Sequence, residues 1–131
     1  MYLDQANVVE LAANAVRTST LTATGVNIQQ YSGIAQIILQ SSAKTAGTSP
    51  TLDVTIEESD SLASGYTAVS GAVFAEVTTS DITEMIAINT DELKKYIRVV
   101  GTIGGTSTPT FGFGVSMLGM LQAGRNSSQA V

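Results

Sequence analysis

The sequence contains no histidine, no cysteine and no tryptophan. Without histidine and cysteine, the chain lacks thiolate chemistry, His-assisted nucleophiles and the usual zinc ligand sets. The remaining titratable residues do not converge in a pattern typical of an active site. The sequence therefore predicts a protein that is not an enzyme and that needs no cofactor or metal.

Charge is also scarce, since only 13% of the 131 residues are charged, about half of the usual share of ~25%. Six cations against eleven acids give a net charge of −5. The cations are scattered and form no basic stripe, which argues against nucleic-acid binding. No run approaches the ~18 apolar residues of a membrane span, and no basic residue precedes Asp4 as in a secretory signal. We therefore expect no membrane partner and a chain that stays in the cytoplasm where it is made.

Serine and threonine take the place of the missing charge and fill roughly a quarter of the chain. The mean hydropathy is nevertheless +0.23, which is too high for a disordered polar chain. Strand faces that carry hydroxyl groups instead of charges lose little when they are desolvated. Such a composition suits a subunit packed among neighbours, and it also suits an ordinary β-domain with threonine-rich strands.

Alternation of apolar and polar residues dominates most of the chain, and it is clearest where Leu52, Val54 and Ile56 alternate with polar residues. Eight short strands separated by turn signals predict an all-β, antiparallel, jelly-roll-like β-sandwich. The predicted strands are 20–23, 25–29, 34–41, 51–57, 73–77, 84–88, 96–103 and 110–118.

The N-terminal residues follow a different pattern. Val8, Leu11, Ala12, Ala15 and Val16 recur at a spacing close to that of a helix, which predicts a short helix or an extended arm. We therefore divide the chain into an N-terminal arm (1–19), a β-sandwich domain (20–121) and a polar C-terminal tail (122–131). The apolar arm residues have no obvious place in the sandwich, so we predict that they bind a partner: Leu3, Val8, Val9 and Leu11.

Two segments of similar sequence, GTSPT at 47–51 and GTSTPT at 105–110, each precede an alternating strand. Glycine permits a positive φ in a turn, and proline before a strand costs no ladder hydrogen bond. Neither segment has the lysine that a phosphate-binding loop requires. We predict that both are corners of the same design. Gly112 and Gly114 alternate with inward-facing apolar residues and predict either a close approach of another backbone or a bulge.

Three further features could contribute chemistry. The acidic run Glu57-Glu58-Ser59-Asp60 could hold Ca²⁺, although a solvated strand end explains it as well. Tyr66 lies in a long connection and is the aromatic residue that we predict to be exposed, as a sugar-binding surface would need. Arg98 is predicted to pair with Asp53 or Glu57 on a neighbouring strand. These features keep a carbohydrate- or calcium-binding β-sandwich module open as an alternative.

The order of these features resembles a known family. The segments IAQIILQSSAKTAGTSPTLDVTIEESD, FAEVT and KKYIRVVGTIGGTSTPTFGFGVSMLG resemble the auxiliary head proteins of tailed phages, known as capsid decoration or cement proteins. The resemblance implies a structural virion protein on the head surface that clips adjacent major capsid subunits together, often as a homotrimer. It supplies no binding residues. A tail, neck or fibre component of the same virion is the alternative within this class.

Overall fold

The computed structural model describes residues 6–122, which form an antiparallel all-β fold. One turn of 3-10 helix, Thr90–Glu92, precedes the last strand. The strands are β1 (Ala6–Arg17), β2 (Leu21–Thr22), β3 (Val26–Asn27), β4 (Tyr31–Ser41), β5 (Ala46–Ser59), β6 (Thr67–Val73), β7 (Ile82–Asn89) and β8 (Tyr96–Leu121).

The long strand β8 belongs to both halves of the fold. Its first part, up to Gly104, pairs with β5 on one side and with β2 and β3 on the other. Its last part, from Phe111, lies between β1 and β4, and β4 pairs in turn with β7. We refer to β1–β8–β4–β7 as sheet A and to β2/β3–β8–β5–β6 as sheet B. The predicted eight-stranded, jelly-roll-like sandwich is confirmed.

The core lies between the two sheets and follows the alternation read from the sequence. Phe111, Phe113 and Met117 on β8 are fully buried, as are the apolar residues that alternate along β4 and β5. Gly101 makes room for this packing, because a Cβ atom there would lie 2.7 Å from Cζ of Phe113. Burying each large side chain contributes about 1.5–3 kcal/mol, so these alternating positions determine which side of each strand faces inward.

The N-terminal segment differs from its prediction. Residues 6–17 form neither a helix nor a free arm, because β1 pairs with β8 from Ala6 opposite Met120 to Arg17 opposite Phe111. Arg17 secures the end of the strand, since its guanidinium donates to the carbonyl oxygen of Phe113 over 2.7 Å and lies 4.6 Å from the centre of that ring. Removing residues 1–19 would therefore remove an integral strand of sheet A.

Two β-bulges explain why β1 does not alternate in the sequence. Its register with β8 shifts between Glu10 and Ala12 and again between Ala12 and Ala15. A bulge places consecutive side chains on the same side of a strand. Leu11 and Ala12 are consequently both buried, at 4% and 5% exposure. The resulting order of apolar residues mimics the spacing of a helix.

Other element boundaries also differ from those predicted. The predicted strand 73–77 is displaced, because β6 begins at Thr67, within the connection predicted between strands 51–57 and 73–77. Val77 makes an isolated bridge to Leu52. The predicted loops before β5 and in the middle of β8 are parts of those strands. The 3-10 turn Thr90–Glu92 is capped by Asn89, whose Oδ1 atom accepts from the Asp91 amide over 3.1 Å.

The two similar GTS segments form the corners at which β5 and β8 bend, and the two corners pack on each other. Thr48 pairs with Thr106 between them. Gly47 and Gly105 have φ of 106° and 112°, and Ser49 and Ser107 have φ of 47° and 60°, so the two corners begin in the same way; the second has one more residue with a positive φ, Thr108 at 56°. A Cβ atom on Gly47 would lie 2.6 Å from Cα of Pro109.

Gly114 supports the prediction of a close backbone approach. A Cβ atom at this position would lie 2.9 Å from Cα of Asn14, which the bulged part of β1 carries across it. Gly112 is less crowded, since the nearest atom to a Cβ there is Oγ of Ser42 at 3.5 Å. The glycine at 114 therefore allows β1 to cross sheet A closely.

Candidate protein-binding face

The outward side of sheet A carries several large apolar side chains in contact with solvent. Alternation along the four paired strands places them on one side, because their neighbours in sequence point into the core. Val8, Ile34, Met85 and Leu118 are 66%, 57%, 60% and 38% exposed. We call this surface the apolar face; its apolar members are Ala6, Val8, Val16, Ile34, Ile38, Met85, Ala87, Leu118 and Met120.

The apolar face is almost free of charge. Among the described residues that point outward from its four strands, Glu10 is the charged one, and the polar remainder is mainly glutamine, serine and threonine. The outward side of sheet B is different, since threonine side chains there surround Asp53, Glu57 and Arg98. The described part of the chain therefore has one polar, charged side and one apolar side on which Glu10 is the charged residue.

A shallow groove crosses the apolar face above β8. Its floor consists of Gly114, which has no side chain, and Ser116, which has a small one, and these leave a depression between β1 and β4. Val8 and Glu10 form one wall and Ile38 forms part of the other, around a volume of about 220 Å³. The groove gives the face enough relief to fit a projecting side chain of another protein.

Contiguous exposed apolar surface with little charge is typical of a protein–protein contact. Of the residues predicted from the sequence to bind a partner, Val8 lies on this face. Val9 is half-buried and packs against the core, and Leu11 is a core residue, so neither is presented to a partner here. Leu3 lies outside the described residues. The predicted partner contact at Val8 remains a prediction.

Sequence reasoning did not identify the other members of the face. Met85, Leu118 and Ile38 lie on different strands, and only the register of those strands brings them together. In the sequence each has apolar neighbours, such as Ile37 beside Ile38, that point into the core. A weak signal was available in Gly112 and Gly114, which interrupt one side of β8 with positions that have no side chain.

The acidic run is divided among separate contacts. Glu57 forms an ion pair with Arg98, with 2.7 Å between Oε1 and the guanidinium nitrogen, as one of the two predicted pairings. Glu58 accepts from the amide of Lys94 over 2.9 Å, Ser59 is buried, and Asp60 is exposed. Within residues 6–122, no three acidic side chains come together as metal ligands would.

Tyr66 was predicted to be exposed, but it is half-buried, because the guanidinium of Arg98 lies 4.0 Å from the centre of its ring. The three phenylalanines and Tyr31 are buried. The described aromatic side chains thus form no open platform of the kind on which a sugar ring would stack. Nor does the described part of the chain contain a helix long and apolar enough to cross a membrane.

The Arg98–Glu57 pair supports a first prediction about stability. Both side chains are about a quarter exposed, at 25% and 24%, so water and salt screen their attraction. We expect the substitution Glu57→Gln to lower the free energy of unfolding by less than about 1 kcal/mol. Urea unfolding measures it, and about 0.5 M salt should remove most of the difference. Arg98→Ala should lower the free energy of unfolding further, because it also removes the contact with Tyr66. An equal loss in both variants would contradict this account.

The fold is one that viral capsid proteins use. The VP2 subviral particle of infectious bursal disease virus matches over 91% of this chain with a TM-score of 0.55 and 14% sequence identity. The T=1 particles derived from that virus match over 90% of the chain, with a TM-score of 0.56 and 14% identity. The chain spans about a third of the length of these viral proteins, at 33% and 32%. No protein-family model and no curated protein matches the chain.

Proposed function

We propose that this protein is a structural component of a virion, and more specifically a decoration protein on the outer surface of a phage head. The observation that carries the proposal is the apolar face, a contact surface with one charged residue on an otherwise weakly charged chain. The similarity of the fold to viral capsid proteins and the resemblance of its sequence pattern to phage decoration proteins support the same class.

The proposed partner is the major capsid protein. A sandwich that binds two adjacent capsid subunits would oppose their separation when packaged DNA presses outward. The apolar face supplies the contact, because side chains such as Met85 and Leu118 leave water when a capsid surface covers them. The homotrimer implied by the resemblance would link several such contacts, and linked weak contacts bind far more tightly than each one alone.

The number of copies per virion tests this function. Purified virions of the phage that encodes the chain are digested, and quantitative mass spectrometry compares this protein with the major capsid protein. A decoration protein covers the whole head, so we expect copies on the order of hundreds, similar to the capsid lattice that it binds. A handful of copies would place the protein in the tail, neck or fibre. Its absence from the particle would overturn the virion role.

A further inference from the structure

The two sheets have four edges, and three of these are irregular or short. The edge strand β1 contains two bulges, the pairing of β6 with β5 is interrupted by an irregular shift in register, and β2 and β3 have two residues each. Bulges and short strands are the usual means by which a sheet edge avoids pairing with another chain. These three edges are therefore protected.

The fourth edge, β7, lacks these protections. Its eight residues pair with β4 in unbroken register, from Ile34 opposite Asn89 to Ser41 opposite Ile82. The strand contains no proline, lysine or arginine. Glu84 points inward, and an inward-pointing charge can protect an edge. It lies in the first half of the strand, however, where its Oε1 atom accepts a hydrogen bond from the Ala75 amide over 2.9 Å. The second half of β7 has no such cover.

A cleft of about 420 Å³ lies beside this second half, between β7 and β6. Ala87, Ile88 and Asn89 line one side, and the irregular part of β6, residues 69–71, lines the other. Val69 and Ile88 form an apolar base, at 9% and 8% exposure. A Cβ atom added to Gly71 would meet nothing within 4 Å, so the cleft is open at that point.

The charged side chains that line the cleft are both acidic, although Lys94, whose amide donates to Glu58, follows the lining in sequence. Glu58 and Glu92 line it, Asp81 and Glu84 lie towards the start of β7, and no lysine or arginine is among the described residues of its lining. Pairing of this edge with β7 of a second copy would bring the acidic residues of the two copies together, and the repulsion between like charges opposes such pairing. Charge complementarity therefore favours a different partner, one that carries basic residues.

We propose that the cleft between β6 and β7 binds an extended segment of a partner protein by strand addition. The segment extends sheet A by pairing with the backbone of β7 at residues 87–89, as edge strands do in peptide recognition. One apolar side chain of the segment contacts Val69 and Ile88, and lysine or arginine residues beside it face Glu58 and Glu92. This site is separate from the apolar face and does not depend on the virion role.

Two capped heptapeptides test the proposal. Both have a Thr-Val-Thr-Val-Thr core; one has a lysine at each end and the other a glutamate. Fluorescence anisotropy at about 50 mM salt, where charge interactions are weakly screened, gives the affinity of each labelled peptide for the full chain. We expect the lysine peptide to bind about tenfold more tightly or better. In NMR spectra it should shift the amide signals of Ala87, Ile88 and Asn89.

Two pairs of variants locate the site. Ser70→Trp fills the cleft and should weaken binding of the lysine peptide about tenfold, whereas Ala68→Trp, on the same strand outside the cleft, should leave it unchanged. Glu92→Lys should reduce the preference for the lysine peptide, whereas Asp53→Lys on sheet B should not. Circular dichroism confirms that each variant folds. Equal affinity for both peptides, equal effects within either pair, or no binding at millimolar peptide would overturn the proposal.

Discussion

Replacing Gly105 by alanine is expected to lower the free energy of unfolding by about 2–5 kcal/mol, as the sum of two costs. The residue has φ of 112°, a backbone conformation that disfavours any side chain. The added Cβ atom would also lie 2.8 Å from Cα of Pro50 and 2.9 Å from the Ser49 carbonyl oxygen, and these backbone atoms cannot rotate away. Since domains unfold at a cost of about 5–15 kcal/mol, the loss would be a large part of the total.

Gly71→Ala separates the two costs. Gly71 also has a positive φ, 79°, but a Cβ atom there would meet nothing within 4 Å. This control should therefore lose only the conformational share, about 1–2 kcal/mol. Gly47→Ala should match Gly105→Ala, because the corner at Gly47 packs on Pro109 in the same way. Urea unfolding of the three variants measures the difference, and equal losses at Gly105 and Gly71 would show that the packed corners contribute little.

These corners show which features of the fold can be predicted from the sequence and which cannot. The repeated GTS pattern predicts two corners of the same design because glycine and proline restrict the backbone locally. That β5 and β8 carry the corners side by side depends on pairing between residues about 58 positions apart, from Thr48 to Thr106. A local pattern contains no information about such a pairing. The sequence consequently predicted the design of each corner but placed them in loops between strands.

The error at β1 has a related cause. Hydrophobic periodicity identifies a strand only while the side chains alternate, and each bulge adds a residue that breaks the period. Leu11 and Ala12 both face the core for this reason, and the segment was interpreted as an arm. The strands without bulges in their central parts, such as β4 and β7, were predicted close to their observed bounds.

The apolar face was not predicted because one sheet side becomes visible only when four strands are aligned. Val8 and Val9 are neighbours of the same residue type, yet Val8 is exposed and Val9 packs against the core. A shift of one residue in the pairing of β1 with β8 would exchange them. The composition shows that the chain carries little charge. Only the register of the strands shows that the outward side of sheet A is the surface with almost none.

Placing glutamate at both Met85 and Leu118 is expected to abolish head binding while leaving the fold intact. The two side chains are 60% and 38% exposed, so the change should alter the free energy of unfolding by less than about 1 kcal/mol. Burying two carboxylates without partners in a contact should weaken binding by at least about 100-fold. Co-sedimentation with heads that lack the protein measures the affinity, and urea unfolding measures the stability.

A variant with the same added charge on sheet B provides the control. Thr22 and Val73 are exposed and point outward from that sheet, so glutamate at both positions should leave head binding unchanged. If the unaltered protein binds heads and both double variants still bind equally well, sheet A is not the docking surface, although the decoration role would stand. If the unaltered protein does not bind heads, the role itself is wrong. Loss of binding only with glutamate on sheet A would assign the capsid contact to the side of the sandwich that carries almost no charge.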